Sequence, residues 1–249
     1  MNQQAPLWTP SQQQIEQANL SKFMAFVSEQ GSQVIGDYDS LYQWSIDDSE
    51  SFWSLLWDFC EVKGDKGDRV LIHADEMELA QWFPDARLNF AENLLRRRDD
   101  ETAIYFRAED QVDRELSFKQ LYDQVAAVAA WLKAQGMQSG DRVAAYLPNM
   151  PETIVAMLAT TSLGAIWTST SPDFGEDSVI DRFGQTEPKV LFCCDGYFYN
   201  GKVKDTRDKA RRIMMHLPSV QQVVEIPLAG LEGDPAGTFW LVTNHLRSS

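Results

Sequence analysis

The sequence is that of an acidic chain of 249 residues, of which 44% are hydrophobic and 24% are charged. A chain of this length and composition can bury a sizeable core, as one large domain or as two ordinary ones. Its formal net charge of −15 disfavours nucleic acid or a membrane as the main partner, because both present anionic surfaces.

The cysteines and the first residues favour a cytoplasmic protein. Cys60, Cys193 and Cys194 are too few for a disulfide framework, and the adjacent pair lacks the two-residue gap of a zinc or redox motif. Residues 1–14 lack the basic and apolar segments of a signal peptide. No apolar run approaches the roughly 20 residues that span a bilayer, so we expect no membrane partner. From the cysteine pattern we expect reduced thiols.

The N-terminal part of the chain is predicted to be helical and rich in aromatic residues. A capping box at residues 11–14 starts a helix that apolar spacing continues to Gly31. A second helix is expected over residues 49–60, and its aromatic stripe is interpreted as core, with a cofactor cleft as the alternative. A third is expected over residues 86–98, where the terminal arginines suit the negative end of the helix dipole.

The periodicity changes after residue 100. The run TAIYFR at residues 102–107 predicts a strand that turns back at residues 109–110. A second capping box at residues 117–120 starts a helix, and Gly136 is placed to end it. Residues 109–110 are expected only to reverse the chain.

A strand, a helix and a second strand are then predicted within residues 140–174. The first strand covers residues 142–147, Asn149 caps the helix, Gly164 ends it, and the second strand covers residues 166–169. Further elements are expected at residues 176–183 (helix), 189–194 (strand), 205–217 (helix) and 220–226 (strand). This alternation predicts an α/β fold, a mostly parallel sheet with helices on both faces.

Motifs that would carry out chemistry are missing from the sequence. It has no Gly-x-Ser-x-Gly element, no glycine-rich dinucleotide motif and no phosphate loop ending in Lys-Ser/Thr. His73, His216 and His245 are scattered without the spacing of metal ligands. We therefore assign no catalytic and no metal-binding residue.

Two polar segments remain as candidates for ligand contact. Thr168–Ser171 leaves a predicted strand end, the edge where α/β proteins bind ligands, but lacks the glycines of a phosphate loop. Tyr199–Lys202 contains Asn-Gly, a strong turn signal, with Lys204 and Arg207 nearby. The alternative for this second segment is a solvated turn before a basic helix start.

Four segments resemble the N-terminal part of the adenylate-forming acyl-CoA synthetases. They are W-T-P-S from Trp8, ARLNFAENLL from Ala86, GDRVAAYLPNMPETIVAMLATTSLGAIW from Gly140 and SPDFG from Ser171. The SPDFG form resembles the acetoacetyl-CoA synthetase branch of that family. The resemblance runs from residue 8 to about residue 225, and the stretch from Leu228, which has no clear periodicity, falls outside it.

The resemblance implies a ligase that works in two steps. ATP and a carboxylic acid, here acetoacetate, form an acyl-adenylate, and the CoA thiolate then displaces AMP. Mg²⁺ would accompany ATP, and the reaction would belong to ketone-body and lipid metabolism. Residues 1–98 would be the N-terminal extension of the acetyl-CoA synthetase type, and residues 99–249 a truncated first α/β subdomain of the AMP-binding domain.

The resemblance also implies two CoA-binding segments. They are the loop Ser171, Pro172 and Asp173, and the turn Tyr199, Asn200, Gly201 and Lys202. Relatives hold the ribose 3′-phosphate of CoA at this turn with two arginines, whereas this chain has Tyr199 and Lys202. A lysine keeps a point charge but lacks the two-pronged geometry of a guanidinium group.

The parts that handle ATP follow this region in relatives. The Ser/Thr/Gly-rich phosphate loop, the adenine and carboxylate pockets and the lysine of the lid have no counterpart in the 249 residues. We therefore expect the chain alone to be inactive and to bind no cofactor tightly. Two alternatives stay open, a parent enzyme specific for acetate or propionate and a stand-alone, non-enzymatic α/β binding module.

Overall fold

A computed structural model describes residues 6–31 and 34–231. The chain divides after Leu88 into two compact units, each considered by itself below. The division predicted from the resemblance, after residue 98, stays a prediction. His245 and the end of the stretch without periodicity lie outside the described residues.

The first unit is a small helical bundle with two short strand pairs. Its elements are α1 (Gln12–Gln17), α2 (Asn19–Glu29), α3 (Tyr38–Asp47), α4 (Ser49–Phe59), β1 (Gly64–Asp65), β2 (Leu71–Ile72), β3 (Gln81–Trp82) and β4 (Arg87–Leu88). Strand β1 pairs with β4 and β2 with β3, both antiparallel. The Phe52 ring of α4 meets the rings of Phe23 and Trp44 edge-on, at centroid distances of 5.7 and 5.6 Å. Phe52, one member of the aromatic stripe, is half-buried and packs against the core, as predicted, whereas Trp53 of the same stripe is 43% exposed.

The helix predicted to run from the first capping box to Gly31 is broken. The capping box forms, but Ala18 is extended and separates α1 from α2. The Ser21 hydroxyl donates a hydrogen bond of 2.6 Å to the Ile15 carbonyl, which a continuous helix would offer to the Asn19 N–H. The prediction of one helix was therefore wrong, because the Ile15 carbonyl accepts the Ala18 N–H and the Ser21 hydroxyl and not the Asn19 N–H.

The helix predicted over residues 86–98 is also wrong in extent. Its first residues belong to β4, and helix α5 of the second unit covers only Phe90–Leu94. Asn89 is extended and its side chain accepts the Glu92 N–H at 3.1 Å, which starts the helix four residues later than expected. The arginines therefore lie after the helix, where Arg97 pairs with Asp99 at 2.8 Å.

The second unit is an α/β structure built on a parallel sheet. After α5 it contains β5 (Thr102–Ala108), β6 (Val112–Ser117), α6 (Phe118–Ala134), β7 (Arg142–Tyr146), α7 (Pro151–Ser162), β8 (Ile166–Thr170), α8 (Glu176–Thr186), β9 (Val190–Cys194), β10 (Gly196–Tyr199), β11 (Lys202–Asp205), α9 (Arg207–Met215) and β12 (Gln222–Ile226). Four strands form the parallel sheet in the order β12-β9-β7-β8, and β5 pairs with β6 as a hairpin. The predicted fold class is confirmed.

The sheet is covered by helices on both faces because its strands alternate between two apolar cores. Val143 and Phe192 face the core shared with α6 and α7. Ala144 and Leu191, the neighbouring residues on the same strands, face the core shared with α8 and α9, where Phe183 is fully buried. Successive strand side chains point to opposite faces, so every residue of β9 is buried.

Of two helix starts predicted in this unit, one is confirmed and the other is wrong by one residue. The capping box at Ser117 and Gln120 forms, with backbone-to-side-chain bonds of 3.2 and 2.9 Å. Asn149, predicted to cap α7, does not do so, because the N-cap is Met150 and Pro151 begins the helix. A residue before proline is held in extended backbone, so the last non-helical position falls one residue later than expected.

A hairpin follows β9 that the sequence indicated only by its turn. Strands β10 and β11 are antiparallel, with Tyr199 opposite Lys202. Asn200 and Gly201 form the two-residue turn with φ of 51° and 68°, the left-handed conformation that Asn-Gly favours in hairpins. The predicted turn is confirmed, and its flanking strands were missed because four residues each are too few to show a clear alternation of apolar and polar residues.

Candidate functional site

The two segments singled out as CoA-binding each follow a strand of the parallel sheet. The loop Ser171–Asp173 follows β8, and the hairpin β10–β11 follows β9. Both strands run parallel to the central strand β7, so both segments leave the same carboxyl edge of the sheet. This is the edge at which open α/β sheets bind ligands.

Hydrogen bonds within the loop at Ser171, and others from neighbouring elements, fix its conformation. The Ser171 hydroxyl donates to Asp173 Oδ2 at 3.1 Å and accepts the Asp173 N–H at 3.2 Å. The Pro172 carbonyl accepts the Tyr146 hydroxyl at 2.8 Å and Lys209 Nζ at 3.1 Å. Lys209 also donates to the Phe174 carbonyl, so one ammonium group of α9 holds two points of the loop.

A single hydrogen bond joins this loop to the hairpin. The Tyr197 hydroxyl of β10 donates to Asp173 Oδ1 at 2.6 Å. Burial, and after it this bond to Asp173, raises the pKa of Tyr197 to about 12, so the hydroxyl keeps its proton. The structure therefore brings together the two segments that the resemblance picked out separately.

One face of the hairpin carries the residues next to this junction. Tyr197 lies opposite Lys204, and Tyr199 lies opposite Lys202. Residues directly opposite each other in an antiparallel pair share a face, so both lysines stand on the face from which Tyr197 reaches Asp173. Both lysines are exposed. Arg207, also noted in the sequence, instead pairs with Asp205 at 2.5 Å.

The N–H groups of the hairpin turn already have an acceptor. The Asn200 and Gly201 N–H groups donate to the two carboxylate oxygens of Glu109, at 2.5 and 2.8 Å. Glu109 lies at the tip of the β5–β6 hairpin with φ of 49°. Sequence reasoning assigned Glu109 only to a turn, and no spacing pattern connects residues 91 positions apart.

The base of the hairpin is fixed by one buried carboxylate. Asp195 Oδ1 accepts the N–H groups of Gly196, Leu228 and Ala229 at 2.8, 2.8 and 3.0 Å, and Oδ2 accepts that of Leu231 at 2.9 Å. Backbone donors satisfy a buried carboxylate as well as a cation would. The hairpin therefore leaves the sheet at a fixed angle.

A depression of about 310 Å³ opens beside the loop at the carboxyl ends of β7 and β8. Pro148, Ser169 and Ser171 line it together with Arg182. The Arg182 guanidinium lies over the Phe174 ring, 4.7 Å from its centroid. Ser169 and Ser171 come from the hydroxyl-rich segment noted in the sequence.

Neither cysteine of the adjacent pair is a reactive nucleophile. Both are buried, and burial raises the pKa of Cys194 to about 12 and that of Cys193 well above its usual value. Among residues 6–31 and 34–231, no group of three side chains is arranged to hold a metal ion. Within the same residues, no helix has the length and apolar content required to cross a membrane.

Two family models match the chain. The model described as "AMP-binding enzyme" matches residues 90–237, and that described as "Acetyl-coenzyme A synthetase N-terminus" matches residues 38–94. The two matches overlap at residues 90–94 and together run without interruption from residue 38 to residue 237.

Several curated proteins are similar over most of this chain. Acetoacetyl-coenzyme A synthetase of Rhizobium meliloti is 45% identical over 230 residues, which cover 92% of this chain and 35% of that protein. Acetoacetyl-CoA synthetase of Rattus norvegicus is 38% identical over 225 residues, 89% of this chain and 33% of that protein. A malonamoyl-CoA synthetase of Penicillium aethiopicum is 35% identical over 221 residues, 85% of this chain and 31% of that protein. The chain thus spans about a third of the length of these relatives.

A solved structure agrees in fold and in sequence. Acetoacetyl-CoA synthetase from Streptomyces lividans superposes with a TM-score of 0.86 at 42% identity, over 95% of this chain and 37% of that one. The family model for AMP-binding enzymes covers more than half of the 249 residues, and the carboxyl edge described above lies within that match. The chain belongs to the family of AMP-binding enzymes.

Proposed function

We propose that the whole protein is an ATP-dependent acid–thiol ligase that converts acetoacetate to acetoacetyl-CoA. The observation that carries this proposal is the 45% identity to an acetoacetyl-coenzyme A synthetase over 92% of the chain. Acetoacetate would react with ATP to give an acyl-adenylate and pyrophosphate. The thiolate of CoA would then attack the acyl carbon, and AMP would leave.

This chain would contribute part of the CoA site. The loop Ser171, Pro172 and Asp173 would form one wall of the channel, and the turn Tyr199, Asn200, Gly201 and Lys202 would lie at the ribose 3′-phosphate. Three observations support the assignment. Both segments leave one edge of the sheet, and Tyr197 joins them through Asp173. Lys202 stands on the same face of the hairpin as Tyr197, exposed to an incoming anion.

The residues of this chain would bind and orient CoA without moving a proton. Tyr146, Tyr197 and Lys209 would keep the loop in one shape before CoA arrives, because each donates a hydrogen bond to it. A preformed wall lowers the ordering cost of binding. ATP and its Mg²⁺ would be held by parts of the whole protein outside the 249 residues.

A different acyl substrate is the second candidate. The similarity to a malonamoyl-CoA synthetase, at 35% identity, favours considering other short acids with a second polar group. Acetate and propionate are further candidates, to be compared with acetoacetate in the same assay. A non-enzymatic binding role is the alternative from another class of function.

Release of AMP by the whole protein tests the ligase proposal. With ATP and CoA present, we expect acetoacetate to give a higher kcat/KM than acetate, propionate or malonamate. The 249-residue chain alone is expected to release no AMP. Absence of AMP from the whole protein with every acid would refute the ligase proposal and favour the binding role.

Replacement of Lys202 tests the assignment of the CoA turn. Losing one contact from an ammonium group to phosphate costs about 1–3 kcal/mol, so we expect Lys202→Ala to raise the KM for CoA roughly 10- to 100-fold. ATP–pyrophosphate exchange driven by acetoacetate should stay unchanged, because that half-reaction precedes CoA binding. Lys133→Ala, in the last turn of α6, removes an equal charge elsewhere and should leave both measurements unchanged. An unaltered KM in Lys202→Ala would contradict the assignment.

A further inference from the structure

The contact between the Glu109 carboxylate and the hairpin turn has a geometry that usually serves an external anion. Two successive backbone N–H groups, of Asn200 and Gly201, point at one group and reach its two oxygens at 2.5 and 2.8 Å. Both residues have positive φ, at 51° and 68°. Consecutive N–H groups in such turns form concave sites that bind phosphate and carboxylate groups.

The structure fills this concave site with an anion of its own. Glu109 belongs to the β5–β6 hairpin, and its carboxylate satisfies both donors at once. A phosphate could use these N–H groups only after the carboxylate has left. With the carboxylate in place, a phosphate that approaches the exposed lysines of the hairpin, Lys202 and Lys204, would also meet the negative charge of Glu109. Glu109 therefore competes with any phosphate for the tip of the hairpin.

We propose that Glu109 is a specificity-determining residue that withholds the turn's N–H groups from the ribose 3′-phosphate of CoA. This inference rests on the proposed function, since it assumes that CoA reaches the hairpin. In the presence of Glu109, the 3′-phosphate gains only the point charge of the lysines and meets the charge of the carboxylate. The whole protein should consequently distinguish CoA from 3′-dephospho-CoA, which has the same thiol and lacks that phosphate, only by what the lysines contribute, and less than it would with the two N–H groups free to bind the phosphate.

The departure at Tyr199 and Lys202 is consistent with this role. An arginine can bind phosphate through two parallel hydrogen bonds and so compete with a neighbouring carboxylate, whereas a lysine offers one compact charge. A turn with a lysine, a tyrosine and a resident carboxylate therefore recognises phosphate through the lysine charge and without its backbone N–H groups.

The test compares CoA with 3′-dephospho-CoA in the whole protein and in two matched variants. Glu109→Gln removes the charge and leaves one of the two N–H groups without its oxygen acceptor. Asp110→Asn removes the same charge from the neighbouring residue and leaves the Glu109 carboxylate on the turn. The measured quantity is the ratio of kcat/KM for CoA to kcat/KM for 3′-dephospho-CoA. ATP–pyrophosphate exchange with acetoacetate is recorded on the same samples.

We expect Glu109→Gln to raise that ratio about tenfold, the gain from one added hydrogen bond to phosphate. The rise should come from faster use of CoA, with 3′-dephospho-CoA unaffected, and Asp110→Asn should leave the ratio unchanged. A ratio that stays constant or falls in Glu109→Gln overturns the inference, as does an equal rise in both variants. If pyrophosphate exchange persists in those cases, the ligase function stands without this role for Glu109. Absence of ATP–pyrophosphate exchange with acetoacetate in the unmodified protein would refute the ligase function itself.

Discussion

The interior of the parallel sheet and its carboxyl edge are held together by different forces. In the interior, side chains such as Phe183 and Phe192 are almost fully buried and pack on apolar neighbours. At the edge, hydroxyl, ammonium and carboxylate groups fix the Ser171 loop and the β10–β11 hairpin. Apolar burial contributes most to stability, whereas polar contacts contribute little net energy but define geometry. The interior should therefore govern stability, and the edge should govern the use of CoA.

Two phenylalanines test this contrast with the largest expected effect. Phe183→Ala should lower the free energy of unfolding by about 3–5 kcal/mol, because the side chain is fully buried and leaves a cavity. Phe174→Ala removes the same atoms at the edge, where the residue is 42% exposed, and should cost about 1 kcal/mol. Urea unfolding of the 249-residue chain measures both. Equal losses in the two variants would show that edge and interior contribute alike.

The amino edge of the sheet offers an intermediate effect that depends on pH. Asp141 accepts Lys189 Nζ at 2.7 Å and the Gln138 N–H at 2.9 Å, and these partners, Lys189 first, hold its pKa below the usual value. A carboxyl group with a lowered folded-state pKa stabilises the fold above about pH 4, its unfolded pKa. That contribution is lost as the pH falls through the folded-state pKa.

Replacement of Asp141 should reproduce this pH dependence. At pH 7, Asp141→Asn is expected to cost about 1–2 kcal/mol, because a charge-assisted hydrogen bond is removed. The difference from the unmodified chain should shrink at acidic pH, where the wild-type carboxyl group is protonated as well. Urea midpoints across pH measure it, with Asp110→Asn on the β5–β6 turn as the exposed control. A difference that stays constant with pH would contradict the assigned role of the ion pair.

The junction between the loop and the hairpin should have the smallest effect on stability. Tyr197→Phe removes only the hydroxyl that donates to Asp173, so we expect a loss of about 1 kcal/mol. In the whole protein the same change should raise the KM for CoA several-fold and leave pyrophosphate exchange unchanged. Tyr105→Phe, on a strand residue that is 76% exposed, is the matched control. A large stability loss without a change in KM would assign Tyr197 to the scaffold alone.

The sequence predicted the interior better than the edge for a physical reason. Burial imposes periodicity, so the strands β7, β8 and β9 and the helix after Ser117 could be predicted to within a few residues. The bonds that shape the edge join residues 24 and 91 positions apart, as in the pairs of Tyr197 with Asp173 and of Glu109 with Asn200. Such contacts leave no periodic pattern, and the two segments proposed to bind CoA were singled out through the resemblance.

Local competition explains the remaining errors. A serine hydroxyl at residue 21 takes the carbonyl that would continue α1, and a proline at residue 151 moves the cap of α7 by one position. Each depends on a choice between two nearly equivalent hydrogen-bond donors or cap positions. Propensities summed over a window cannot resolve such choices.

The carboxylate of Asp195 has a consequence for how this part of the chain opens. It binds N–H groups at Gly196 on one side and at Leu228–Leu231 on the other, and so closes a loop of more than 30 residues. Closing such a loop by hydrogen bonds costs chain entropy, and that cost is recovered only when the contacts at both ends are lost together. The hairpin, α9 and β12 are thereby tied into one cooperative unit. Amide protons throughout that unit should exchange with solvent in a single opening event, and Asp195→Asn should make that opening easier.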